Sequence, residues 1–108
     1  MRFLAFLAAM SIGLVASLPA FAYDTLEQDY AACTQGGGKL SSGEIVTACT
    51  RLIDNSAQEN ELVGYFYAMR MVNNSDKKQN CADAHKVLEL VSDKTFVDGA
   101  KQTIDSNC

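Results

Sequence analysis

The 108-residue sequence is acidic, with 9 Lys and Arg against 13 Asp and Glu and a formal net charge of −4. That balance argues against nucleic acid and anionic lipid as partners and suits a basic protein or peptide. A chain this short with four cysteines is limited to one small domain that needs covalent staples.

"MRFLAFLAAMSIGLVASLPAFA" opens the chain with one positive charge, Arg2, and then an uncharged apolar run from Phe3 to Leu18. Pro19 breaks the run, and Ala20-Phe21-Ala22 gives the small-x-small pattern of a signal-peptidase site. A membrane helix wants about 20 apolar residues, and this shorter run is interrupted by Ser11, Gly13 and Ser17. We therefore expect cleavage after Ala22 and export, with the bacterial periplasm as the destination. No cysteine stands at the cut to carry a lipid, and nothing after it is apolar for long enough to span a bilayer. Removing 22 of 108 residues leaves 86, from Tyr23 to Cys108. Arg2 leaves with the leader, so 8 basic residues face 13 acidic ones, a net of −5. A domain of that size buries only about 60–65% of its unfolded surface. Cys33, Cys49, Cys81 and Cys108 all fall in the mature part, and an even count in an oxidising compartment reads as two disulfides.

Apolar residues then recur at helical spacing. Leu26, Tyr30 and Cys33 stand at i, i+4 and i+7 in "DTLEQDYAAC", with Asp24, Glu27 and Asp29 as solvated acids in its early turns. "QGGGKLSSG" is a connector; its glycines lack the Lys-Ser/Thr ending of a phosphate loop. Ser41 and Glu44 have capping-box spacing and open "EIVTACTRLIDN", where Ile45, Cys49, Leu52 and Ile53 share a face. "ELVGYFYAMRMVNN" is apolar nearly all round, with Arg70 the one charge between Leu62 and Val72. Such a helix belongs in the middle, with others against it. "NSDKKQ" reads as a loop. Beyond it Cys81, Ala84, Leu88 and Val91 form one face with Val87 beside it, and Val97, Ala100, Ile104 and Cys108 form the last. No stretch alternates with period two. The fold class is all-α: a small bundle of about five helices in antiparallel hairpins, stapled by two disulfides.

Cys81 and His85 at i, i+4 raise the question of a metal. The spacing is sound for a shared ion, but a structural zinc site needs four ligands, and the chain has one histidine and no CxxC. His85 falls at about 40° from Cys81, on the rim of the apolar face, and reads as a surface histidine. Met69 and Met71 point about 200° apart on a helix and do not chelate one copper ion. We therefore assign no metal and no cofactor, and place Cys81 in a disulfide. Four cysteines can pair in three ways. Consecutive antiparallel helices bring Cys33 beside Cys49, and the start of the fourth helix beside the end of the fifth brings Cys81 near Cys108. Each such bridge stabilises the fold by about 3–4 kcal/mol in the chain-entropy model.

"IVTACTRLIDNSAQENELVGYFYAMRMV" resembles the join between two helical hairpins in tetratricopeptide-type (TPR or Sel1-like) proteins. Ala48, Cys49, Thr50, Arg51 and Ile53 match the second helix of one hairpin, and Gly64, Tyr65 and Tyr67 the first helix of the next. The likeness runs over residues 44–92, more loosely after 72. Secreted members also resemble this chain in an upstream cysteine, here Cys33, placed to bridge to Cys49. The resemblance implies a helical-hairpin fold and a habit of binding proteins or peptides, with no catalytic residues to carry over.

An enzyme is not expected. The thiols are taken as oxidised, and no G-x-S-x-G elbow is present. Three classes of binder remain: a periplasmic protein-binding module, an immunity or inhibitor protein that blocks a cell-wall-degrading toxin such as a type VI amidase, and a periplasmic stress chaperone. For the first, the candidate anchors are Tyr65 and Tyr67, because three consecutive rings with Phe66 cover about 200° of a helix. Tyr30 and Phe96 are the rings placed to cover them. Glu59 and Glu61 would steer a basic partner.

Overall fold

A computed structural model describes residues 25–36 and 38–108; the leader, the expected cleavage after Ala22, and Asp24 lie outside the described residues. Helix α1 spans residues 25–35 and is followed by α2 (Ser42–Asp54), α3 (Glu61–Asn73), α4 (Lys77–Leu90) and α5 (Lys94–Asn107). No strand occurs among the described residues. The chain is a small all-α bundle.

Side-chain caps set where the helices begin. Ser41 Oγ accepts from Glu44 N at 3.2 Å, and the Glu44 carboxylate accepts from Ser41 N at 2.9 Å, closing the capping box. These bonds to Ser41 hold the Glu44 carboxyl below its ordinary value. Asn60, Asp76 and Asp93 cap α3, α4 and α5 through Val63 N, Gln79 N and Thr95 N. The Asp76 cap corrects one expectation. Lys77, Lys78 and Gln79 are the first turn of α4, not loop, because Asp76 satisfies a donor that a loop would have left to water. In the connector, Gly36 O accepts from Lys39 N and Leu40 N, and Gly38 turns the chain at φ 86°.

α3 packs against α2 on one side and α4 on the other, and α5 packs on α4. Two buried clusters result. Cys33, Ile45, Ala48, Cys49 and Leu52 meet Val63 and Phe66 of α3 in the first. Ala68 and Met71 of α3 meet Ala84, Val87, Val91 and Ala100 in the second. Tyr67 packs against both. An all-round apolar sequence is what a helix walling off two cores requires; only its ends emerge, with Leu62 and Val72 exposed. The buried face of α4 is turned from the expected one: Asn80, Asp83, Ala84 and Val87 are buried, whereas Cys81 and Leu88 are half-buried. α4 lies between α3 and α5, so two neighbours share its circumference, and a charge partner on α3 draws Asp83 inward.

The disulfides are Cys33–Cys49 and Cys81–Cys108, with Cα separations of 4.9 and 5.3 Å. Both join helices that are consecutive in the chain.

Gly64 marks a close crossing of α3 and α4. A Cβ there would stand 2.6 Å from Val91 Cγ2 and 2.8 Å from Leu90 Cβ, so α3 or α4 would have to shift. Gly64→Ala should lower stability by about 1–3 kcal/mol, even though alanine is the better helix former. At Gly99 of α5 the same addition meets nothing within 4 Å. Gly99→Ala should stabilise by about 0.5–1 kcal/mol. Urea midpoints of the two variants check the pair; equal shifts would show that α3 and α4 are not in close contact.

Candidate functional site

An open apolar concavity lies where α1 crosses the first cluster. Leu26 and Tyr30 of α1 form one wall, Leu52 and Phe66 the floor, and Asn55 and Ser56 at the end of α2 the far rim, around a groove of about 550 Å³. The Tyr30 ring stands edge-on to Phe66, centroids 5.9 Å apart, as aromatic quadrupoles favour. Leu26 is 44% and Tyr30 43% exposed, although both are large and apolar. Asn55 Nδ2 and Ser56 Oγ donate to Arg51 O and Leu52 O. The rim's polar groups thus satisfy the last turn of α2, and among the described residues Glu27 is the one charge on the lining.

Two links hold α1 in place to make that wall. The Cys33–Cys49 bridge is fully buried. Beside it the Asp29 carboxylate accepts from Arg51 Nε at 2.9 Å and Nη2 at 2.7 Å, a forked pair. Asp29 is 3% exposed, which corrects its assignment as a solvated acid: a carboxylate sinks this far only with a bidentate cation to meet it. The hydrogen bond to Asp29 raises the Arg51 guanidinium above its ordinary value.

The anchors expected from the sequence are elsewhere and less free. Tyr65 is half-buried and packs edge-on against Phe96, centroids 5.1 Å apart. Burial, then the nearby carboxylates of Glu61 and Asp93, push its phenol up. Tyr67 is half-buried, 5.6 Å from ring centroid to Arg70 Cζ. Phe66, between them, is buried under Tyr30. Glu59 and Glu61 are exposed but engaged. Lys86 Nζ donates to both Glu59 oxygens at 2.8 and 2.7 Å, and Glu61 accepts from Ser92 N and Oγ. The structure therefore gathers Tyr65, Glu59 and Glu61 on the side of α3 that faces α4 and α5, away from the groove. Sequence reasoning missed Leu26 and Tyr30 as surface residues because periodicity marks an apolar face without showing how far the next helix covers it.

Arg70 is buried. Its Nε and Nη2 donate to Asp83 at 2.8 and 2.7 Å, and Nη1 donates to Thr50 Oγ1 at 3.1 Å. One guanidinium thus ties α2, α3 and α4 together.

Where α4 begins and α5 ends, His85 Nε2 lies 4.0 Å from Cys108 Sγ. With Cys81 Sγ, the three ligand-capable atoms all lie within 4.8 Å of one another. His85 and Cys108 are exposed and Cys81 is half-buried. With both sulfurs in the bridge, this corner is a staple with an imidazole beside it.

The chain matches no family model, no curated protein and no solved structure.

Proposed function

We propose that this chain is a small periplasmic protein-binding module of helical-hairpin, TPR-like type without catalytic activity, and that it holds a basic segment of a partner protein in the groove between α1, α2 and α3. The observation that carries this is the pair Leu26 and Tyr30, left exposed over the apolar floor of Leu52 and Phe66 on a helix doubly fixed to its neighbour. A rigid apolar cleft with few polar groups is the usual form of an anchor site. Charge supplies the nature of the occupant: Glu27 is the only charged residue on the lining among the described residues, and the expected mature chain carries −5. An apolar side chain flanked by Lys or Arg suits both features.

The test uses tagged mature protein and periplasmic extract, followed by purified partner. Leu26→Asp should weaken partner binding at least about tenfold, as for a hot-spot residue, with the melting temperature retained. Leu62→Asp, at an exposed leucine outside the groove, should leave binding unchanged. Association should slow as salt rises. A partner that binds the Leu26 variant as tightly as the parent would place the interface elsewhere.

A further inference from the structure

We propose that reduction of the Cys81–Cys108 bridge converts this corner into a binding site for one zinc ion, held by the two thiolates and His85. The inference stands apart from the groove and from the function proposed for it.

Three observations carry it. The first is ligand placement. Cys81 and His85 lie one turn apart on α4, where i and i+4 side chains meet. Cys108, the C-cap of α5 with its N–H bonded to Ile104 O, comes from the neighbouring helix. Zinc with bonds of about 2.3 Å to sulfur and about 2.0–2.1 Å to nitrogen sets tetrahedral neighbours about 3.6 Å (N to S) and about 3.8 Å (S to S) apart. His85 Nε2 already stands 4.0 Å from Cys108 Sγ, and all three atoms are within 4.8 Å. Once the bond between the sulfurs is broken, van der Waals repulsion moves them apart toward the spacing the metal requires.

The second observation is access. Cys33 and Cys49 are each 0% exposed, whereas Cys108 is exposed and Cys81 half-buried. Thiolate attack needs a reachable sulfur, so a dithiol reductant opens this bridge first. The dithiol supplies two electrons and is itself oxidised to a disulfide, while Cys81 and Cys108 become thiols. Zinc then displaces the two thiol protons and binds both sulfurs as thiolates.

The third is the exposed setting of the corner, which leaves a fourth position for water, as in open three-ligand zinc sites. Oxidised, the corner holds α4 to α5 by a covalent bond. Reduced and metallated, it holds them through the ion.

Cobalt is the probe, because thiolate-to-cobalt charge transfer in the near ultraviolet reports sulfur ligation. The whole mature protein is reduced with a limited amount of a small dithiol, and alkylation with peptide mapping establishes which bridge has opened. Cobalt and then zinc are titrated in. The expected result is one cobalt per chain with the charge-transfer band, displaced by zinc, and none in the oxidised protein. Zinc should also restore the melting temperature lost on reduction. His85→Ala should weaken cobalt binding about tenfold or more while the bridge still opens. Should both bridges open together, the same comparison on fully reduced protein decides, because His85 is the only histidine in the chain. No stoichiometric cobalt with both thiols shown free, or equal affinity in the His85 variant, would overturn the proposal.

Discussion

Asp83→Ala should cost this protein about 3–5 kcal/mol, the usual loss when one partner of a buried ion pair is removed. Arg70 is 8% and Asp83 1% exposed, so the guanidinium left behind would keep Thr50 Oγ1, a neutral acceptor, and the Tyr67 ring in place of a carboxylate. Deprotonation offers no relief, since arginine does not titrate in any accessible range. A domain this small is worth only a few kcal/mol before its staples are added, so the variant should depend on its two disulfides to stay folded at room temperature. Replacing both partners with apolar residues of similar size, as in Arg70→Met with Asp83→Leu, should recover most of the loss. Thr50 would keep its own bond to Val46 O. Urea unfolding of the single and double variants measures this. A loss of no more than about 1 kcal/mol in Asp83→Ala would mean that water reaches the pair.

The second large effect is expected from Cys33→Ala with Cys49→Ala. Closing a span of 16 residues is worth about 3 kcal/mol in the chain-entropy model. The effect should also be local. Without the bridge, α1 keeps the Tyr30–Phe66 contact and the Asp29–Arg51 pair, whose arginine side chain is 52% exposed, and pairs open to solvent on one side contribute up to about 1 kcal/mol. Hydrogen exchange should therefore find the amides of residues 25–35 unprotected while those of α3 and α4 stay slow. The partner binding proposed for the groove should fail with them, since Leu26 and Tyr30 are its wall. If the α1 amides remain protected in the double variant, packing alone holds that helix.

Much of this architecture was legible from residues with one physical use. Ser41 with Glu44 could only begin a helix, and the uniform apolarity of residues 62–72 could only suit a helix between two cores. Consecutive hairpins led directly to both disulfides. The ion pairs were less legible because a charge in a pattern carries no partner's name. Arg70 stands out in the sequence only as the one charge among apolar neighbours; a buried guanidinium needs a carboxylate, and Asp54, Asp76 and Asp83 all lie on adjoining segments. Only the rotation of α4 selects Asp83. The candidate site was misplaced for a related reason: consecutive rings guarantee that some face outward from a helix, but Phe96 and Tyr30 are themselves the covers, and of the two covers Tyr30 is left exposed.

That each disulfide joins neighbouring helices has a consequence for how the protein is made. The first cysteine pairs with the second and the third with the fourth. If the chain is exported amino terminus first, as its leader leads one to expect, Cys33 and Cys49 would meet an oxidant before Cys81 has appeared. Joining sulfurs in order of arrival would then yield the native bridges directly, without the slow reshuffling that wrong pairs require.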